Sequence, residues 1–139
     1  MKPRLFPYLT FDGNAKEAME FYQSVLGGNL SMQTFGEAGM PTSEEEKTQI
    51  VNAELKNGDL SFMASDSAGH RDEFSVGSNV SMSIAGEDEE LLTKYFNRLS
   101  EGGKIDMPLE KQFWGDKFGM LTDKFGIHWM VNISSQHQK

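Results

Sequence analysis

Two side chains capable of acid–base chemistry lie in segments where apolar and polar residues alternate. Glu54 is in the polar row of residues 51–55, and His128 is in the polar row of residues 127–133. A carboxylate and an imidazole can each transfer protons, and both can bind a divalent metal ion. The 139-residue chain has no cysteine, which excludes a thiol nucleophile, a disulfide and a thiolate metal site. Glu54 and His128 are therefore the candidate catalytic residues.

Further polar rows supply candidate ligand-binding side chains. Successive residues of a strand point to opposite faces, so a strand of alternating sequence has one apolar face and one polar face. If helices cover only one face of a sheet that curls, the polar rows line a concave cup. Two aromatic side chains from a glycine-rich segment would extend its wall, although they could equally be core or dimer contacts. The predicted ligand-binding residues are Asn52, Glu54, Asn79, Ser81, Phe113, Trp114, His128 and Met130.

Two amphipathic helices are predicted to cover the apolar faces. The first begins after Asn14, the expected N-cap, and ends at residue 26 before a double glycine. The second runs from about residue 87 to residue 99 and is also followed by a double glycine. Each helix carries an aromatic pair shortly before its end, and the two pairs lie about half the chain apart. This repetition indicates an internal duplication.

The strand signals repeat in the same order in both halves of the chain. After an opening strand, the first half has predicted strands at residues 30–35, 49–55 and 60–64, the last two joined by an Asn57-Gly58 turn. The second half has predicted strands at residues 79–85, 104–107, 118–122 and 127–133. We therefore predict an α+β fold of two tandem βαβββ modules within one domain, residues 1–139. The expected divisions are module 1 at about 3–66, a linker at 67–78, module 2 at about 79–133 and a polar tail at 134–139.

Charge and hydropathy exclude several classes of protein. The chain has 13 Lys and Arg against 21 Asp and Glu, a net charge of −8, which opposes binding to nucleic acid or to an anionic membrane. No window approaches 18 apolar residues, and no signal-peptide pattern is present. The lack of cysteine fits a reducing compartment. We predict a cytoplasmic protein without nucleic-acid or membrane partners, in which residues 36–47 form a mobile surface loop and His70 and His137 lie at the surface.

Several short motifs occur in order along the chain. They are Pro7-Tyr8-Leu9-Thr10-Phe11, Glu17-Ala18-Met19-Glu20-Phe21-Tyr22, Asn57-Gly58-Asp59, Gly102-Gly103-Lys104, Met107-Pro108-Leu109, Trp114-Gly115 and Asp123-Lys124-Phe125-Gly126-Ile127-His128-Trp129. In this order they resemble PhnB-like proteins, a branch of the glyoxalase/bleomycin resistance/extradiol dioxygenase (vicinal oxygen chelate) superfamily. The resemblance covers about residues 3–133. It implies paired βαβββ modules, a cupped mixed sheet with helices on its outer face, and a homodimer.

Enzymes of that superfamily generally hold a divalent metal ion in the cup with His, Glu or Gln from equivalent strands. The resemblance places these positions near Pro7, Asn52, Asn79 and Met130. None of the four is a carboxylate or an imidazole, so we expect no bound metal and no other cofactor. A displaced site built from Glu54 and His128 is the alternative, although a shift of two residues along a strand moves a ligand by about 6.6 Å. A paired or solvated Glu54 and a hydrogen-bonded His128 are the structural alternatives.

The favoured function is a homodimer that binds a small organic molecule in the cup without a metal. A metal-dependent lyase, isomerase or dioxygenase with a displaced site is the enzymatic alternative, and a structural or regulatory dimer with a filled cup is the third. Gly86-Glu87-Asp88 before the second helix has one glycine and two acids, which is unlike a nucleotide-type cofactor loop. Whether residues 36–47 close over the cup is open.

Overall fold

The computed structural model describes residues 3–40, 42–67 and 74–135. His70 and His137 lie outside the described residues, as do parts of the predicted linker and of the predicted tail. The chain divides into two compact units, the first ending at Ser75 and the second beginning at Val76. Each unit contains one helix and four strands in the order βαβββ. The α+β class and the two tandem modules are thus confirmed.

The first unit is a four-stranded mixed sheet with one helix. Its elements are β1 (Tyr8–Phe11), α1 (Ala15–Leu26), β2 (Asn29–Thr34), β3 (Ile50–Asn57) and β4 (Leu60–Asp66). The strand order is β1-β4-β3-β2, with β1 parallel to β4 and the other pairs antiparallel. The buried side of α1 includes Met19 and Tyr22, and the Tyr22 ring packs edge-on against Phe62 of β4 at 5.7 Å.

α1 begins after Asn14, the predicted N-cap residue, but the capping group is a different side chain. The Asn14 side chain makes no cap hydrogen bond. Instead the buried carboxylate of Asp66, at the end of β4, accepts hydrogen bonds from the backbone N–H groups of Gly13 and Ala15 at 2.9 Å, and from that of Ile50 at 2.8 Å. A carboxylate fixed by the sheet thus replaces the local cap and ties the helix to two strands.

The second unit repeats the same topology. Its elements are β5 (Met82–Gly86), α2 (Glu89–Leu99), β6 (Lys104–Lys111), β7 (Lys117–Thr122) and β8 (His128–Ile133). The strand order is β5-β8-β7-β6, with β5 parallel to β8. Trp129, Val131 and Ile133 alternate on the buried face of β8, as the sequence predicted. The Asp88 side chain caps α2 by accepting a hydrogen bond from Leu91 N at 3.1 Å.

Two predicted strand boundaries differ from the structure by three residues or more. The first strand of the second unit begins at Met82, not at Asn79, because pairing with β8 starts at Met82 and Trp129. The strand predicted at 104–107 extends to Lys111. Pro108 hid this extension, since proline cannot donate to a ladder, and two register irregularities accommodate it on an edge strand.

The segment at 36–47 is closed at its base by backbone hydrogen bonds. Phe35 N donates to Gln49 O and Gly36 N donates to Lys47 O, both at 3.0 Å. Its predicted mobility stays a prediction.

Neither α1 nor α2, the helices of the described residues, is long and apolar enough to cross a bilayer.

Candidate functional site

The face of the second sheet that points away from α2 carries three methionines side by side. Met107 of β6 pairs with Met120 of β7, and Met120 pairs with Met130 of β8. Directly paired residues of antiparallel strands place their side chains on the same face, so these thioethers form one line across three strands. All three are partly accessible, and Met107 is 39% exposed. We call Met107, Met120 and Met130 the methionine row.

Aromatic side chains flank the row on one side. Phe118 lies two residues before Met120 on β7 and therefore on the same face. The centroid of the Trp114 ring lies 6.1 Å from that of Phe118 and 4.9 Å from that of Phe113. Phe113, in the β6–β7 turn, is 96% exposed. Of the two aromatics predicted to line the site, Trp114 thus adjoins the face, whereas Phe113 projects into solvent.

A chain of hydrogen bonds closes the other side of the row. The Thr122 hydroxyl donates to Asp106 Oδ2 at 2.7 Å and lies 3.0 Å from His128 Nδ1. An ionised carboxylate only accepts, so the single Thr122 hydrogen goes to Asp106, and Nδ1 must carry the proton that reaches Thr122 Oγ1. His128 Nε2, the other ring nitrogen, lies 3.3 Å from the Gly77 carbonyl oxygen. A proton-transfer role at Nε2 would therefore require residue 77 to move.

A second polar group lies beyond Phe118. Asn132, the ladder partner of Phe118, donates from Nδ2 to Asp116 Oδ2 at 3.1 Å. The other Asp116 oxygen accepts from Ser135 N at 3.3 Å. The face thus has an apolar centre with hydrogen-bonding groups at both ends.

The equivalent face of the first sheet is polar. Its central row pairs Ser31, Glu54, Met63 and Tyr8 across four strands. Asn52 lies two residues from Glu54 on the same strand face and is exposed. Glu54 is partly buried and lies 3.8 Å from Lys56 Nζ. The structure therefore brings Asn52 and Glu54 together, and Glu54 is a paired carboxylate.

The segment before β5 holds two more predicted site residues. Asn79 lies in an exposed bend, and Ser81 is half-buried immediately before β5. Neither lies in a strand, so the ladder register aligns neither of them with the methionine row. The β5 residue in that row is Ser83, the partner of Met130.

Sequence reasoning missed the β7 half of the face. Phe118 and Met120 alternate with Gly119 and Leu121, so this strand has apolar or small residues on both faces and no readable polar row. A usable signal was the internal duplication. It aligns β7 with β3, a strand with clear alternation, and makes Met120 the equivalent of Glu54.

Close packing under α2 holds β7 in place. A Cβ atom on Gly119 would lie 2.8 Å from the Phe96 ring and 2.9 Å from Leu109 Cα. Only glycine fits between helix and edge strand here. β8 is anchored by Asp123, a carboxylate 3% exposed that accepts from the Trp129 indole N–H at 2.8 Å.

The fold and the sequence match known proteins over nearly the whole chain. The family described as 3-demethylubiquinone-9 3-methyltransferase matches residues 3–132. Protein YjdN of Escherichia coli is 32% identical, with 95% of this chain and 96% of that protein covered. The chain belongs to the PhnB-like family. A solved protein of Pseudomonas aeruginosa is 36% identical with a TM-score of 0.85, covering 97% of this chain and 100% of that one. The PhnB protein of Bacillus cereus is 29% identical with a TM-score of 0.75, covering 95% and 100%.

The internal duplication of this PhnB-like chain shows which residues of the two modules are equivalent. β4 and β8 occupy the same place in their sheets, so the residue equivalent to Met130 is Met63, not Asn52. The first-strand residues paired with these two are Tyr8, next to the predicted Pro7, and Ser83, four residues after Asn79. Tyr8 and Met63 in the first module are thus equivalent to Ser83 and Met130 in the second.

These four side chains do not fit a divalent metal ion. Two are neutral hydroxyls and two are thioethers, whereas such ions are held by imidazoles and carboxylates. In the part of the chain that the structure describes, no group of three or more His, Asp and Glu side chains could hold an ion. No step is therefore derived through a divalent metal.

Proposed function

We propose that this PhnB-like protein binds a small, flat, largely apolar organic molecule on the methionine-row face, as a cytoplasmic homodimer and without a divalent metal. The observation that carries the proposal is the partly accessible row of Met107, Met120 and Met130 beside Phe118 and Trp114. Methionine side chains adapt to ligands of varied shape, and aromatic rings provide flat contact area. The shared cup implied by the family resemblance stays a prediction.

The polar groups at the two ends of the face could orient a bound ligand. Ligand sites are mostly apolar with a few polar groups that fix the ligand's direction. Thr122 with His128 at one end and Asn132 with Asp116 at the other supply such groups. The candidate catalytic residues Glu54 and His128 already face Lys56 and Thr122, which favours binding over acid–base turnover.

The methyltransferase activity in the family description is not part of the proposal. A nucleotide-type cofactor usually places its anionic groups on free N–H groups at a helix N-terminus. Here Asp66 accepts from Gly13 N and Ala15 N at the start of α1, and Asp88 accepts from Leu91 N at the start of α2. Both helix starts already carry a carboxylate.

Binding is tested with N-phenyl-1-naphthylamine, a neutral, flat, apolar probe whose emission rises in apolar surroundings. Placing an ammonium in the centre of the face with Met120→Lys should weaken probe binding by at least about tenfold, because a fully buried apolar side chain contributes about 1.5–3 kcal/mol. The matched control is Met40→Lys, in the exposed turn of the first unit. Unchanged circular dichroism confirms folding of both variants.

Trp114 provides a second readout. It adjoins the face, while Trp129, the chain's other tryptophan, is 2% exposed. Probe binding should therefore quench an emission component that Trp114→Phe removes. Probe affinity unchanged by Met120→Lys, or quenching that survives Trp114→Phe intact, would place the ligand elsewhere.

The proposed dimer is supported by Phe113. An aromatic side chain that is 96% exposed keeps on the order of 150–250 Å² of mostly apolar surface in water, which a second copy could cover. Phe113→Ser should shift the mass measured by light scattering from dimer towards monomer. Val76→Ser, at another exposed apolar position, is the control. A monomeric wild-type protein, or a dimer indifferent to Phe113→Ser, would contradict this assembly.

A further inference from the structure

We infer that the methionine row is a site for a soft monovalent metal ion, Cu(I) or its analogue Ag(I). Met107, Met120 and Met130 supply three thioether sulfurs from three neighbouring strands. The inference depends on the sulfur atoms themselves and is independent of the proposed organic ligand.

The ladder geometry allows the three sulfurs to converge. Neighbouring strands are about 4.8 Å apart, so the backbones at Met107 and Met130 are separated by about 9.6 Å, with Met120 midway. A metal–sulfur bond is about 2.3 Å long, so an ion above Met120 needs each outer sulfur to lean inward by a few ångströms. Methionine has three rotatable side-chain bonds and reaches this position without moving the backbone.

The donor chemistry selects soft ions. Neutral thioethers favour Cu(I), whereas Mg²⁺, Mn²⁺ and Zn²⁺ prefer oxygen, imidazole or thiolate donors. The closest imidazole along β8 is His128, whose Nδ1 is engaged by Thr122 and whose Nε2 faces the Gly77 carbonyl. The row therefore presents three neutral sulfur donors, which suit a soft ion.

Charged groups and an aromatic ring border the row. Asp106 reaches the same face through its hydrogen bond from Thr122 and lies 3.8 Å from Lys104 Nζ, which offsets its charge. Glu110 is the ladder partner of Phe118 on that face, in a chain of net charge −8. The Phe118 ring adds a π surface beside Met120. The 39% exposure of Met107 gives the ion access from solvent.

The first unit contains a natural control. The equivalent row of its sheet is Ser31, Glu54, Met63 and Tyr8, which has one thioether. A single methionine does not make a soft-ion site, so Met63 should not bind the ion by itself.

The test uses the full, tag-free chain with Ag(I) alone, followed by the ε-methyl NMR signals of its nine methionines. The signals of the methionine row should shift together and saturate at one ion per chain, which separates this site from any binding at histidine. Met120→Leu keeps volume and apolarity but removes the sulfur, and it should weaken Ag(I) binding by at least about tenfold. Met63→Leu should leave the affinity within about twofold.

The inference is overturned if Ag(I) shifts no methyl signal of the row, if the three signals respond to separate ions, or if Met120→Leu retains the affinity. The wild-type protein distinguishes it from the proposed function. A wild-type protein that binds N-phenyl-1-naphthylamine but no Ag(I) overturns only the ion site, and one that binds Ag(I) but no probe overturns only the organic-ligand proposal.

Discussion

Asp123 is predicted to hold β8, and with it His128 and Met130, through one hydrogen bond to a tryptophan. Its Oδ1 accepts from Phe125 N at 2.8 Å and Ile127 N at 3.0 Å, while its Oδ2 accepts from Trp129 Nε1 at 2.8 Å. In Asp123→Asn the amide oxygen can keep the two backbone bonds. The amide nitrogen then faces the indole N–H, and two donors cannot bond.

The expected magnitude follows from this single lost bond. A hydrogen bond to a charged group contributes about 1.5–3 kcal/mol, so Asp123→Asn should lower the free energy of unfolding by that amount. Asp123→Ala removes all three bonds and should cost more, a large share of the 5–15 kcal/mol that is typical of a domain. The milder variant is therefore the informative one.

A double-mutant cycle with Trp129→Phe isolates the interaction. Trp129→Phe removes the indole N–H together with part of a buried side chain, and the cycle cancels the packing loss. Urea unfolding followed by circular dichroism gives the four free energies. The coupling between the two positions should be about 1.5–3 kcal/mol. Asp59→Asn, in the exposed β3–β4 turn, should change stability by less than about 0.5 kcal/mol.

A coupling below about 0.5 kcal/mol would refute this reasoning, because the Asp123–Trp129 bond would then contribute no more than a surface contact. A result of that size would mean that apolar packing and the ladders to β5 and β7 hold β8 without this bond. The position of Met130 would then be insensitive to Asp123.

Three further predictions test contacts inside each unit. Gly119→Ala forces a methyl group against Phe96 and should destabilise by about 1–3 kcal/mol in urea unfolding, whereas Gly77→Ala, whose added carbon meets nothing closer than 3.6 Å, should be nearly neutral. Asp66→Ala leaves three backbone N–H groups without their carboxylate, and hydrogen exchange at residues 13, 15 and 50 should accelerate; unchanged exchange would contradict the role given to Asp66. Hydrogen bonds from the Thr34 backbone N–H and hydroxyl hold the pKa of Glu37 below its ordinary value. The ionised Glu37 side chain therefore stabilises the folded protein fully when the pH is above the ordinary pKa. This stabilisation is lost as the pH falls through the lowered pKa, so Glu37→Gln should reduce stability at neutral pH but not in strong acid.

Local signals predicted the helices and most strands because the physics that decides them is local. The double glycine after α1 gives Gly27 the positive φ of 75° that ends the helix, and the alternation from Trp129 to Ile133 places β8 correctly. Asn14 is the N-cap residue as predicted, but the group that accepts from the start of α1 was not predictable, for the opposite reason. Asp66 lies 51 residues from Ala15 along the chain, and nothing near Asn14 indicates that contact.

The candidate site was predictable only where one face of a strand is apolar and the other polar. Asn52, Glu54, His128 and Met130 lie on strand faces away from the helices, as expected. Met120 was missed because its neighbours on the buried face, Gly119 and Leu121, give β7 no contrast between faces. The register between paired strands decides which side chains lie next to each other. The alternation within a single strand does not indicate that register.

The equivalent positions of the first and last strands carry the same kinds of side chain in both modules. β4 and β8 each carry a methionine at the corresponding position, and the paired first strands each carry a hydroxyl, Tyr8 and Ser83. The modules differ one strand further in, where Glu54 in β3 corresponds to Met120 in β7. That difference makes one face polar and the other soft and apolar, so a ligand that prefers thioethers and aromatic rings should bind the second module and ignore the first.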